Sequence, residues 1–296
     1  MLMTLTLTAL VALTPLQQGD TDTTFAVPNG TRLQVQNMTG DVVIGTWDRN
    51  EVRVIAEHSR RTSIEVDLSG SVLRLRPRSS SGMGLGGVTD YRLTIPATMA
   101  VDISGMSADV TITGSRAEVK VGTVSGDIRL TGGVGSINLT TIDGGITVRQ
   151  AKGRMQLRTA SDQIGVEDSE GDVNAEAVSG DVRLRRVNGR QIEVQAVSGD
   201  VEFEGAIQAN GSYYFGTHSG DLTIAIPENA DVMIRASSSM GDFTASFALP
   251  ASEQTSRRRQ TFRLGNGSAS MEVEVFSGDI SLVRPSELRS RNRGEQ

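Results

Sequence analysis

The triplet Ser-Gly-Asp returns along this chain at Ser125-Gly126-Asp127, Ser179-Gly180-Asp181, Ser198-Gly199-Asp200, Ser219-Gly220-Asp221 and Ser277-Gly278-Asp279. Related triplets fill the intervals: Thr39-Gly40-Asp41, Ser107-Ala108-Asp109, Asp143-Gly144-Gly145, Ser161-Asp162-Gln163 and Met240-Gly241-Asp242. Their third residues fall at 109, 127, 145, 163 and 181, a constant interval of 18, and then at 200, 221 and 242. Self-similarity at a fixed period marks a stack of like supersecondary units, so it constrains the fold before any local propensity does.

The stretch between Asp181 and Asp200 displays one unit. Val182 and Leu184 alternate with Arg183 and Arg185, Asn188-Gly189 interrupts, and Ile192, Val194 and Ala196 alternate with Glu193 and Gln195. That pattern is two strands of period two, each with one apolar face. The units beginning at Asp127 (Ile128, Leu130) and Gly145 (Ile146, Val148) repeat it, and Gly153, Gly171 and Gly189 mark the opposite turn, again 18 apart. At a sharp corner Gly supplies positive φ, while Ser and Asp side chains bond to unpaired backbone groups. Gly126, Asp127, Gly180, Asp181, Gly199, Asp200, Gly220, Asp221, Gly278 and Asp279 are accordingly read as structural repeat turns. If the corners align, strands of successive coils pair in parallel. The expected fold is all-β: a single-chain β-solenoid or β-roll of about 18-residue two-strand coils, with a less regular N-terminal β cap. Ten such coils at about 4.8 Å each would make a rod on the order of 50 Å long. Antiparallel hairpins in a sandwich would use similar alternation, but the constant repeat length favours the solenoid.

Outside the repeats the chain divides by composition. Residues 1–18 hold an apolar, Thr-rich run (Leu2, Leu5, Leu7, Leu10, Val11, Leu13) followed by Pro15 and polar Gln17 and Gln18, which reads as a signal peptide although no Lys or Arg precedes it. The expected location is therefore periplasmic or secreted. No later segment approaches the length of apolar chain needed to cross a membrane as a helix. Residues 25–95 read as a capping region, with strands at 32–36, 41–46, 51–57, 63–68 and 72–76, because an open solenoid end would expose apolar side chains and unpaired backbone. Residues 96–284 form the repeat region; 79–87 (SSSGMGLGG) and 250–261 (PASEQTSRRRQT) read as loops, and 285–296 as an Arg-rich disordered tail.

The repeated V-S-G-D-[VI]-x-[LF] units at Val124–Leu130, Val178–Leu184 and Val197–Phe203 carry a resemblance, together with Gly40-Asp41-Val42-Val43-Ile44, Thr46-Trp47-Asp48 and Phe276-Ser277-Gly278-Asp279-Ile280. Over almost the whole chain after residue 18 they resemble the bacterial DUF4097 family, which carries an adhesin label. The resemblance implies a β-strand repeat fold. It brings no catalytic residues to transfer.

Composition narrows the chemistry. A net charge of −6 lacks the basic stripe that nucleic-acid binding needs, and the absence of Cys removes disulfides, thiolate nucleophiles, Cys-based zinc sites and a lipid-modified Cys. The two histidines, His58 and His218, have no second His or Cys at metal-ligand spacing. His218, Ser219 and Asp221 suggest a triad by proximity, but neighbours on one strand face opposite ways. No phosphate-binding glycine motif or nucleophile elbow is present. No catalytic, cofactor or metal residues are assigned. The expected function is a non-enzymatic envelope protein, an adhesion or scaffold module whose partner is an envelope protein or surface glycan, with end-to-end self-association where caps are weak. Two alternatives stand beside it. A calcium-stabilised β-roll would also use 18 residues per coil, though here only one turn per coil bears the regular Asp. A β-helix enzyme acting on polysaccharide would need aromatic platforms, and this chain has one Trp and three Tyr.

Overall fold

The computed structural model describes residues 20–79, 87–250 and 259–294. The proposed signal segment and the core of the Gly/Ser-rich loop lie outside these residues, as do 251–258 and the last two positions. In chain order the elements are β1 (Asp20–Ala26), β2 (Arg32–Thr39), β3 (Val42–Trp47), β4 (Glu51–His58), β5 (Thr62–Ser69), β6 (Val72–Ser79) and β7 (Thr89–Pro96). The regular middle holds β8 (Ala100–Ser107), β9 (Val110–Ser115), β10 (Val119–Gly122), β11 (Ile128–Gly132), β12 (Val134–Thr140), β13 (Ile146–Arg149), β14 (Lys152–Thr159), β15 (Ile164–Glu167) and β16 (Val173–Ser179). Two long strands follow, β17 (Val182–Ser198) and β18 (Val201–Ser219), each passing from one face of the rod to the other. The chain closes with β19 (Leu222–Ala225), β20 (Val232–Met240), β21 (Phe243–Ala245), β22 (Arg259–Leu264), β23 (Ala269–Ser277), β24 (Ile280–Val283) and helix α1 (Pro285–Gly294).

Pairing builds two facing parallel sheets. One runs β6-β2-β8-β10-β12-β14-β16, then the second half of β17, the second half of β18, β23 and β20. The other runs β7-β3-β9-β11-β13-β15, the first halves of β17 and β18, then β19, β24 and β21. The 18-residue period is thus the distance from a residue to its in-register partner in the next coil: Ile128 pairs with Ile146, Ile146 with Ile164, and Ile164 with Val182. Like stacks on like, and the buried rows of Val, Ile and Leu form one continuous core from Val27 to Leu282. The same period orders the surface, where Arg149–Glu167, Lys152–Glu170, Arg158–Glu176 and Arg186–Asp168 bridge neighbouring coils. These pairs are exposed, so each contributes little beyond register.

Spatial order departs from chain order at both ends. The coil β2–β3 lies inside the coil β6–β7, which comes later in sequence. At the far end the last coil, β23–β24, is wedged between β18–β19 and the earlier β20–β21. Asp242 therefore does not follow Asp221 in the stack as the numerical series suggests; Asp279 stands between them. The residues expected to be an irregular cap, 25–95, also divide: β2, β3, β6 and β7 are solenoid strands, whereas β1, β4 and β5 run antiparallel at the end and cover it. At the other end antiparallel β22 covers β20, and Phe243 stacks on Phe262 with ring centroids 4.9 Å apart. Residues 259–261, read as loop, belong to β22.

The Arg-rich tail is not disordered over its described part. It forms α1, which buries Leu288 against Ala225 and Val283 and pairs Arg289 with the buried Glu204 at 2.5 Å. Arg284 holds Glu287 one turn away and also pairs with Glu228. A single apolar anchor and charge pairing hold this helix, so it lacks the apolar stripe by which a sequence announces one.

Candidate functional site

All ten corner residues named from the sequence lie in one column. Each aspartate reaches to the coil beside it: Asp109 Oδ1 accepts the N–H of Asp127 (2.8 Å), Asp181 that of Asp200 (2.9 Å), Asp200 that of Asp221 (2.8 Å), Asp221 that of Asp279 (2.8 Å) and Asp279 that of Asp242 (2.8 Å). Gly145 takes the place of an aspartate, and its N–H donates to Asp127 Oδ1 at 2.9 Å. Asp127 and Asp181 further pair through Oδ2 with Arg129 and Arg183. One oxygen of each of these aspartates is thereby committed as an acceptor to backbone. No group of three His, Asp or Glu side chains able to hold a metal ion occurs among the described residues.

The glycines answer to a second requirement beyond torsion. Gly126 has φ +126°, but a Cβ there would also lie 2.4 Å from the carbonyl oxygen of Ala108. Gly180 lies outside the left-handed region and is still confined, with the Asp162 oxygen 2.2 Å from where a Cβ would be. Corner backbones stack so closely that no side chain fits between them. From inside, the buried Thr141, Thr159 and Thr217 donate to the corner carbonyls of Gly126, Gly144 and Gly199. Sequence reading missed these threonines, whose mark was a polar residue at an inward position. It also missed Gln150, Asp168 and Arg186, a left-handed column at the opposite corner with φ between 50° and 56°, again 18 apart.

The histidines stand far from one another in function. His58 Nε2 meets Thr21 Oγ1 at 3.0 Å, whereas the His218 ring stacks on Phe276 at 4.6 Å and 6°. Asp221 Oδ1 is occupied by the Asp279 N–H, and the His218 ring is turned to Phe276. The adjacent tyrosines part company too: Tyr213 is buried in the core and Tyr214 faces outward.

Beside the corner column runs a feature that breaks the alternation of inward apolar and outward polar residues. The residue preceding the triplet points outward and is apolar in most coils, His218 and Ser239 being the exceptions. In stacking order the row is Met38, Met106, Val124, Ile142, Ala160, Val178, Val197, His218 and Phe276. Six of these, Met106, Val124, Ile142, Val178, Val197 and Phe276, are each between 46% and 54% exposed. At about 4.8 Å per coil the row extends roughly 40 Å. Two shallow depressions adjoin it, one lined by Arg158, Glu176, Val178, Gln195 and Val197, the other by Gln195, Tyr214, His218, Glu274 and Phe276.

Two sheets of parallel strands joined by a close-stacked corner column define a parallel β-solenoid. The chain belongs to the Toastrack DUF4097 family, whose profile matches residues 30–283. No curated protein matches it. Three solved structures are similar to it. One is described as a "putative cell adhesion protein" from Clostridium sporogenes, with 10% identity over 90% of this chain and 99% of that one and a TM-score of 0.23. A "putative adhesin" from Parabacteroides merdae shows 7% identity over 90% and 97%, TM-score 0.45. Another from Parabacteroides distasonis shows 9% over 89% and 96%, TM-score 0.36.

Proposed function

We propose that this chain is a non-enzymatic binding module of the bacterial envelope, periplasmic or secreted, which uses the length of its solenoid as an adhesion or scaffold surface. The observation that carries this reading is the outward row from Met38 to Phe276, apolar at every position but His218. Isolated exposed apolar residues on a soluble protein mean little, but a contiguous strip on a rigid frame marks a contact surface. Stacked coils present such a strip in a straight line, and solenoids generally bind along extended surfaces of this kind. The carboxylates of the corner ladder, which a hydrolase would need free, are engaged with backbone.

The test pairs cell fractionation with adsorption. The native protein is expected in the envelope or secreted fraction, and the purified protein is expected to adsorb to isolated envelope material. A variant combining Val124→Thr, Ile142→Thr, Val178→Thr and Val197→Thr keeps β-branched side chains at outward positions and is expected to adsorb much less while melting as a folded protein. Cytoplasmic residence with no envelope association overturns the reading.

A further inference from the structure

The geometry points to a saccharide-binding subsite on the outer face of β18 and β23, built from Tyr214, His218, Phe276, Glu274 and Gln195, which takes an uncharged sugar ring of a surface glycan. It rests on the binding-module reading above and gives that surface a ligand class.

The site exists because the final coil is wedged into the stack. Gly216 of β18 is in register with Glu274 of β23 on one side and Gln195 of β17 on the other. Without a side chain at 216, a gap opens in that row, and Tyr214 leans into it: a Cβ on Gly216 would lie 2.8 Å from the Tyr214 Oη. That hydroxyl donates to Glu274 Oε2 at 3.2 Å, which fixes the ring's orientation. In the next row the His218 and Phe276 rings stack nearly parallel, 6° apart, and Phe276 remains 47% exposed. On the far side β20 contributes only the small Ser237 and Ser239. The result is an open depression of about 340 Å³, within the usual range for small-ligand sites.

Its chemistry fits a pyranose. Aromatic rings offer flat apolar faces with polar edges, which suit the C–H face of a sugar. Gln195 supplies a donor and an acceptor, Glu274 acceptors and the serines both, matching ring hydroxyls that also do both. Negative charge argues against acidic ligands: Glu274, Glu272 and Glu193 surround Tyr214, whose hydroxyl is held above the ordinary tyrosine value by burial first and by these carboxylates second. The same carboxylates disfavour sulfated or sialylated glycans and phosphate-bearing headgroups. Four of the chain's outward aromatic and amide groups gather here, from strands 58 residues apart in sequence at His218 and Phe276.

The experiment titrates the full chain with uncharged oligosaccharides of glucose, galactose, mannose and N-acetylhexosamine, with sialylated and sulfated counterparts as a second set. Binding is read by calorimetry and by saturation transfer from protein to sugar protons. At least one uncharged sugar is expected to bind with a Kd on the order of a millimolar or tighter, and Tyr214→Ala and Phe276→Ala are each expected to weaken it about tenfold or more. Both positions face outward, and unchanged circular dichroism and Tm in the variants would show that the fold survives. If neither variant proves folded, Tyr214→Phe, which keeps the ring and loses the bond to Glu274, serves instead with an expected weakening of about threefold. Absence of binding by every uncharged sugar, preference for the acidic set, or binding indifferent to the folded variants overturns the subsite. Envelope adsorption that persists without sugar binding would overturn the subsite alone; sugar binding by a protein resident in the cytoplasm would overturn the envelope reading alone.

Discussion

Asp181 Oδ1 accepts the backbone N–H of Asp200 across the boundary between two coils at 2.9 Å, so the residue type that recurs at the corner is the one that fastens each corner to the next. Asp181→Ala removes the acceptor and leaves the N–H to solvent, with an expected cost of about 1 kcal/mol. Asp181→Asn keeps an acceptor and is expected to cost less. Urea denaturation of the two variants measures the difference. The same engagement predicts that Ca²⁺ or a chelator leaves Tm unchanged, and a rise of several degrees with Ca²⁺ would contradict it.

Gly171→Ala is expected to be among the most damaging single changes. Its φ is +127°, and a Cβ would stand 1.9 Å from the Gly153 carbonyl oxygen, an overlap of backbone that no rotamer can relieve. The expected loss is about 4 kcal/mol, or failure to fold. Gly165→Ala is the control: the nearest atom to its Cβ would be the Ile146 oxygen at 4.0 Å. It is expected to shift stability by less than about 1 kcal/mol. Equal effects at 165 and 171 would show that corner stacking is not the constraint.

Tyr91 is buried in the core, 1% exposed, and its hydroxyl has no hydrogen-bond partner. Burial also drives its ionisation well above the ordinary tyrosine value. Tyr91→Phe removes an unsatisfied polar atom and keeps the ring, so it is expected to stabilise by about 1 kcal/mol and raise Tm by about 2 °C. A thermal melt decides; a lower Tm would mean the hydroxyl is bonded in solution.

Several surface carboxylates titrate low. Hydrogen bonds from Arg53, Arg76 and Arg186 hold Asp22, Glu65 and Asp168 below their ordinary values of 3.8 for Asp and 4.5 for Glu. In the window between the ordinary and lowered values the unfolded chain binds more protons, so stability falls as pH falls. Their contribution is fully present above about pH 5 and is lost progressively below about pH 4. The pairs are exposed, so salt should flatten the slope. Denaturation midpoints from pH 6 to pH 3, at low and high salt, test both statements.

The fold was legible because a period of 18 leaves nothing to propensity: once Asp127, Gly145 and Gln163 are taken as one position, strands, corners and core face follow. The order of the last coils was not legible. Asp242 and Asp279 both end triplets in Gly-Asp followed by an apolar residue, and a corner motif states how a coil turns without stating which coil lies beside it. Helix α1 escaped notice because Leu288 is its only apolar anchor and its partner Glu204 lies 85 residues back. The apolar row was visible in Val124, Val178 and Val197 as a breach of period two, but those residues were absorbed into the repeat motif. The depression at Tyr214 could not be read, since only the wedged coil brings Phe276 to His218.

That wedge governs how such a rod can grow or be cut. Removing the residues after Ala269 would excise an inner layer and strand the outermost one, so trimming from the carboxyl end should collapse the terminus instead of shortening the rod by one step. Lengthening after β24 meets the same obstacle, because that coil lies inside β20–β21 and not at the end of the stack. Extra layers fit by duplication within the interior, between about β10 and β17, where sequence neighbours are also spatial neighbours.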